Sequence, residues 1–421
     1  MSSINLIKKI DILFFKFSVK TKIILNYFFS VIFTSIFIPL AILIRVVKPL
    51  VHIRIGCLRN DVIGNSIMNA EYYLCQRKST PLKTLDLFYL QDSQGLVNKQ
   101  WHKMLKKKFK PHFIFRYLDY ANNLLYKSDD FKVVFGERDL KGFYFYNPKN
   151  FSFSESENKR GKDFLKTIGL KDERDKFICL NIRDEAYKKK FQSHKFMDHS
   201  YWNYHNFRNS NVDNYYEAIL KLLDKGYWVI RMGKAVEKKM NINHSKFLDY
   251  ANSEYQEDFL DIWLMGNCFF TISGDTGLDE VCKIFRKPIV HINFTFFHEP
   301  VLSTHALTSF KLLKFKKNDK FLSLKEIIDK NIIEFHKTEH FQNLDIELIE
   351  NDPGEITDAV FEMENKLLKK WLHKPEDIIF QKEFFRIFKS WKNYSKFHDF
   401  IHPNSGISST FLRRHHSWFL K

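Results

Sequence analysis

Apolar residues along the chain fall into short blocks separated by amphipathic stretches, the pattern of strands joined by helices in an α/β protein. Residues 50–55 and 85–90 read as strands in the first part, and 177–182, 227–230, 247–250, 269–272 and 289–292 in the second. Helical spacing fills the intervals. A helix ends near Gln76, another covers 159–168 before Gly169, one covers 212–224 before Gly226, and one covers 259–266. Leu278, Val281, Cys282 and Phe285 stand at i, i+3, i+4 and i+7, stopped before Pro288. Strand, glycine turn, helix and strand make a βαβ unit, and ligands of such sheets bind at the carboxyl ends of the strands.

The residues at those ends therefore carry the candidate chemistry. Ser273, Gly274, Asp275, Thr276 and Gly277 follow one strand, with glycines that let backbone approach a phosphate and a helix start that favours an anion. The plain alternative is a helix capped by Thr276 or Asp275, the glycines only shaping the turn. Arg183 and Asp184, Arg208 and Asn209, and Arg231 and Gly233 are expected on the same rim. Arginines there clamp a diphosphate and stabilise it as a leaving group, unless each pairs with a local carboxylate. Asp184 is the first candidate for a general base and Asp61 the second. Gly56, Asp61, Gly64 and Asn65 form the glycine loop after the first strand. It lacks G-x-G-x-x-G, so no NAD is expected. No Asp-x-Asp occurs, so no metal or other cofactor is expected.

Composition changes this picture in two places. The net charge of +18 calls for a polyanionic neighbour, and without zinc-finger, basic-heptad or RNA-binding patterns that neighbour is not nucleic acid. Residues 23–44 carry no charge, and at about 1.5 Å per residue they match the ~30 Å of a bilayer core. Lysines flank both ends and Pro39 lies inside, so spanning and re-entry both stay open, with a buried hairpin as the alternative. The segment 101–110 is basic and aromatic, a solvated helix face or a membrane or acceptor contact. Five scattered cysteines without C-x-x-C pairs suit a reducing compartment, the cytoplasm.

Asp275-Thr276-Gly277-Leu278 resembles the donor-phosphate loop of heptosyltransferase-like enzymes of the GT-B fold, with Glu280 where a histidine is usual. Further stretches resemble a little-characterised bacterial GT-B glycosyltransferase family: Arg160–Leu165, Cys179-Leu180-Asn181-Ile182-Arg183-Asp184, Phe207-Arg208-Asn209-Ser210 and Ile407–Leu412. Asn181-Ile182-Arg183 is similar to the His-x-Arg of fucosyltransferase-like enzymes, whose arginine holds the donor diphosphate. The resemblance implies two Rossmann-like domains facing a cleft: an acceptor domain over 49–158 and a donor domain over 159–330. Before them lies a basic N-terminus with a membrane-associated helix over 1–48, and after them a helical extension over 331–421. It implies a metal-independent transferase that moves sugar from a nucleotide-sugar donor to a glycan or lipid-linked acceptor in surface polysaccharide assembly. The enzyme would work on the cytoplasmic side of the bacterial inner membrane, at the membrane surface. The rivals are a non-catalytic glycan-binding or scaffold protein at the membrane and a two-Rossmann sugar-nucleotide epimerase.

Overall fold

The computed structural model describes residues 19–79, 83–91, 97–136, 138–171, 175–191, 199–300, 303–398 and 400–421. The basic N-terminus before residue 19 lies outside the described residues, as do the side chains of residues 19–29, the start of the uncharged stretch. The chain makes two compact units. Met1–Arg59, Leu82–Asp92 and Lys106–Val134 form the first, and Asn60–Pro81, Ser93–Leu105 and Phe135–Lys421 the second.

In chain order the main elements begin with α1 (Val19–Val46), β1 (His52–Leu58), α2 (Ile63–Ser79), β2 (Thr84–Leu90), α3 (Lys99–Phe109) and α4 (Ile114–Asn123). Then come α5 (Glu155–Thr167), β3 (Phe177–Asn181), α6 (Tyr216–Asp224), β4 (Trp228–Arg231), β5 (Phe247–Leu248) and α7 (Asp258–Asn267). The chain continues through β6 (Thr271–Ser273), α8 (Asp279–Ile284), β7 (Ile289–Phe294), β8 (Ala306–Phe310), β9 (Leu312–Phe315) and β10 (Ile346–Ile349). It closes with α9 (Pro353–Leu367), α10 (Pro375–Phe388), β11 (Gly406–Ile407) and α11 (Ser409–Phe419).

In the first unit β1 and β2 run parallel, from His52 opposite Thr84 to Leu58 opposite Leu90, and Lys132 bridges Ile55. Ile55, Tyr89, Leu118, Ala121 and Phe131 pack with Ala41 and Ile44 of α1. Among the described residues no helix is long and apolar enough to cross a membrane.

The second unit is built on a parallel seven-stranded sheet in the order β11-β8-β7-β6-β3-β4-β5. All five residues of β3 and all six of β7 are buried, the reason apolar residues stand next to one another in these strands rather than alternating with exposed polar ones. Ile178, Leu180, Val229, Ile272 and Val290 pack against Ile219 and Leu222 of α6 and Ile356 and Val360 of α9. Each fully buried side chain of this size contributes about 1.5–3 kcal/mol. An aromatic core (Phe310, Phe384, Phe388, Phe411, Phe419) ties α10 and α11 to β8.

The chain after Pro300 holds strands as well as helices: β8 and β9, then β10 and β11. β11 is a two-residue edge strand, too short to leave a period, and Thr308 and Ser309 mask β8. Within residues 331–421, α9 packs on the sheet core and β11 pairs with β8.

Candidate functional site

From β5 to β8 the strands follow the doubly wound order, which reverses between β3 and β6. At such a reversal the connecting helices depart to opposite faces and leave a crevice at the strand ends. Asn181 ends β3 and Ser273 ends β6, paired in register.

The loop from Ser273 to Leu278 is held from beneath. The Asn181 side-chain amide donates to Thr276 Oγ1 and to Asp279 Oδ1, the latter at 2.8 Å. Asp279 Oδ2 accepts from Thr276 N at 2.8 Å and from the Ser273 hydroxyl. Burial pushes the Asp279 carboxyl up to about 6, against the pull of these donors. Gly274 N donates to Asn181 O and Asp275 N to Ser273 Oγ, both at 3.0 Å, and Leu278 N to Thr276 Oγ1 at 3.2 Å. The amides expected to face a ligand thus mostly hold the loop's own shape. α8 begins only at Asp279 and is six residues long, so its dipole is small.

Glycine permits the close approaches around this loop. A Cβ on Gly274 would lie 3.3 Å from Arg183 N, and one on Gly64, at the start of α2, 2.9 Å from Gly277 Cα. Ser210 N donates to Arg183 O at 3.1 Å, which draws the loop of Arg208 to the same edge. Asp275 takes a left-handed conformation with φ 60°. Its carboxylate and its carbonyl both accept from Arg208 Nη2, at 3.0 and 2.6 Å. The Arg208 guanidinium also lies 4.8 Å from the Phe296 ring centre.

Beside them the site is dominated by positive charge. Arg183 Nε is shut off from solvent without a hydrogen-bond partner. Burial, and then the charge of Arg208, pull the Arg183 guanidinium down to about 9. Lys188, on the short helix Ala186–Lys190, is pulled down to about 6 by burial and then by Arg183 and Arg208. His205 falls to about 2 through burial and then Lys188, Arg208 and Arg183. A shallow hollow open to solvent is lined by Arg183, Asp184, Glu185, Lys188, Lys189, Asn203, Asn206 and Asn209. Mutually repelling cations of this kind favour an anion, which offsets their repulsion and restores their protons.

The remaining sequence candidates are placed differently. Asp184 accepts from the backbone amides of Ala186 at 3.0 Å and Glu237 at 2.9 Å, and burial raises its carboxyl. It braces the two loops around the hollow. Arg231 is buried, donates to Lys238 O and reaches Asp249 at 3.4 Å, so it supports the sheet rather than the rim. Gly233, with φ 142°, receives Gln256 Nε2 on its carbonyl at 2.6 Å. The Asn209 side chain reaches Glu185 Oε1 at 3.4 Å, and its carbonyl receives Lys311 Nζ. Gly64 and Asn65 begin α2 in the second unit, with Asp61 just before them. Gly56 lies in β1 of the first unit, where a Cβ would sit 2.7 Å from the Phe88 ring; packing accounts for that glycine.

Lys188, His205 and the Asn181–Asp279 brace escaped the sequence reading. Lys188 sits inside a run of three lysines that looks like a solvated face, and only its distance from Arg183 in the fold sets it apart. Asp279 looked like an ordinary acidic first-turn residue. Its neighbour Ser273, at a buried strand end, was the available hint.

No protein-family model matches the chain, and neither does any curated protein. Among solved structures it is similar to the ADP-heptose lipopolysaccharide heptosyltransferase II of E. coli, at 14% identity and TM-score 0.36 over 61% of this chain and 90% of that one. It is similar to a family 9 glycosyl transferase from Veillonella parvula, at 12% identity and TM-score 0.44 over 75% and 97%. It is also similar to a UDP-GlcNAc 2-epimerase from Neisseria meningitidis, at 10% identity and TM-score 0.26 over 75% and 100%. Likenesses at these scores do not decide between a transferase and an epimerase.

Proposed function

We propose that the protein is a glycosyltransferase of GT-B type that takes its sugar from a nucleoside-diphosphate donor held at the β3–β6 edge. The observation that carries this reading is the buried, unpartnered Arg183 Nε beside Arg208 and Lys188, at the reversal point of the sheet. The loop sequence Asp275–Leu278 supports it independently. In the transfer, an acceptor hydroxyl of a glycan or lipid-linked sugar loses its proton and attacks the anomeric carbon. The bond from that carbon to the diphosphate breaks, and its electron pair leaves with the nucleotide. Arg183 and Arg208, joined by Lys188 once the bound diphosphate has restored its proton, are cations at the place where that charge develops, so none has to be brought in during the transfer itself. This chemistry asks for no metal.

For the base we favour Asp61 over Asp184. Both Asp184 oxygens already accept backbone amides, whereas Asp61 precedes the helix whose Gly64 touches Gly277. Surface polysaccharide assembly at the cytoplasmic face of the inner membrane is the setting that fits such a donor and acceptor.

The test is thermal-shift screening of the purified chain with UDP, GDP, ADP and CMP, with and without magnesium. A midpoint rise for one nucleoside diphosphate, equal with and without the metal, is expected. Product analysis with the matching nucleotide sugar then separates transfer from epimerisation, which converts the donor without an acceptor. No response to any nucleotide in a folded protein would favour the scaffold reading instead.

A further inference from the structure

The first unit carries an apolar face that the catalytic reading does not use. One stripe of α1 is fixed to that unit: Ala41 and Ile44 are buried, and Arg45 donates to Asn122 Oδ1 at 2.7 Å and Tyr126 O at 3.4 Å. Further up the helix, Phe33 lies 5.1 Å from the Tyr117 ring, so α1 and α4 run side by side in the same direction. On the side of α1 opposite Ala41 stand Ile32, Ile36, Leu43 and Val46, which are 41, 63, 51 and 69% exposed. Their spacing of four, seven and three keeps them on one line. Where α4 ends, beside Arg45, Leu124 and Tyr126 are 68 and 84% exposed. A contiguous apolar strip of this kind on a folded unit marks a contact surface.

Charge identifies the occupant. Between Asp11 and Asp61 the chain has no acidic residue but carries Lys16, Lys20, Lys22, Arg45 and Arg59, besides Lys48 and Arg54, which pair with Asp130 and Asp86. Lys127 adds a cation 5.4 Å from the Tyr126 ring. Apolar residues bordered by cations and an aromatic suit an anionic bilayer interface, where each basic residue near the surface adds about 1 kcal/mol.

Geometry decides how the helix lies there. From Phe33 to Arg45 α1 is committed to α4, which carries Asp119 and Asn122 and cannot enter hydrocarbon. Between Lys22 and Phe33 lie only ten uncharged residues, about 15 Å of helix at 1.5 Å per residue, short of the ~30 Å core. We infer that α1 does not span the membrane but lies in the plane of an anionic leaflet, inserting Ile32, Ile36, Leu43 and Val46 and docking the first unit peripherally. This inference is independent of the proposed catalysis.

The experiment is flotation of the full chain with vesicles of phosphatidylcholine alone or with about 30% phosphatidylglycerol. The expected result is binding to the anionic vesicles, at least about tenfold weaker on phosphatidylcholine alone, in ~0.5 M salt, or for the double variant I36E/L43E. Alkaline carbonate should release the bound protein. Both altered side chains point outward, so the variant should keep the wild-type thermal midpoint and nucleotide response, which separates lost docking from lost folding. Retention in the membrane after carbonate means that the helix spans, and overturns the in-plane arrangement. Undiminished binding of I36E/L43E overturns the face itself. So does a dimer that the same variant dissolves without vesicle binding, or vesicle binding that appears only once residues 1–18 are deleted. Those two results give the face to a second copy or to the chain's own start.

Discussion

Replacing Arg183 by glutamine should make the empty protein more stable and deprive it of its ligand. The guanidinium is half-buried, its Nε has no partner, and burial together with Arg208 holds it down to about 9. That depression measures how much the empty site disfavours the cation. At 1.36 kcal/mol per tenfold change in proton affinity, the whole of it would be on the order of 4–5 kcal/mol. Solvent screening of a half-buried group reduces the gain from removing the charge to about 1–2 kcal/mol, a rise of roughly 1–2 °C in Tm for a chain of this size. The penalty is present in full below about pH 9, where Arg183 is charged in the folded and unfolded chain alike. It fades as pH climbs through the interval up to arginine's ordinary value, because there only the unfolded chain keeps the proton. The contrast between variant and wild type is therefore largest at neutral pH. With a nucleoside diphosphate at a hundred times its Kd, wild type should gain about 2.7 kcal/mol and Arg183→Gln almost none. Calorimetry of both proteins, empty and loaded, reads all four numbers. A variant that is less stable when empty, or that keeps the full nucleotide response, would refute the idea of an anion site held ready at the cost of stability.

Lys188, held down to about 6, is neutral at pH 8 in the empty site and should regain its proton beside a diphosphate. Titration calorimetry in buffers of different ionisation enthalpy should show uptake of about one proton at pH 8, about half a proton near pH 6 and almost none near pH 4. Lys188→Met should abolish the uptake, and binding without buffer dependence would contradict the assignment. Gly64→Ala places a Cβ 2.9 Å from the Gly277 backbone, which cannot yield as a side chain would. A loss of about 1–3 kcal/mol in unfolding free energy is expected, with weaker nucleotide binding. Asp61→Asn should lower kcat at least about a hundredfold. Asp184→Asn should cost about 1–2 kcal/mol of stability by disturbing two backbone hydrogen bonds. The reverse pattern would exchange the roles of the two residues.

What the sequence displayed of this architecture, and what it hid, follows from the range of the interactions. β3 and β7 were visible because burial on both faces writes itself into consecutive residues. The carboxyl-end loops were visible because a strand that stops must turn, and glycine and short polar residues turn. The affiliation of α2 was not visible. It follows β1 in the chain, yet it clusters with the second unit through a glycine–glycine approach between residues 64 and 277, far apart in sequence. Arg231 and Arg183 occupy equivalent places, each at a strand's carboxyl end, and nothing local distinguishes them. Only the fold gives one of them Lys238 and Asp249 and leaves the Nε of the other bare.

That difference is informative because the chain has the means to neutralise its arginines. Arg208 receives Asp275, Arg231 receives Asp249, and Arg286 receives the buried Glu71 at 2.7 Å. Asp184 follows Arg183 directly, yet both of its oxygens face backbone amides instead. A carboxylate turned onto Arg183 would relieve the repulsion that depresses Lys188 and His205. It would also fill the position an incoming diphosphate needs, and the ligand would then have to displace a bound carboxylate. By holding Asp184 on the backbone and resting Gly274 against Arg183 N, the fold keeps the cations together and the position open. The cost falls on the stability of the empty protein, and binding of the anion returns it.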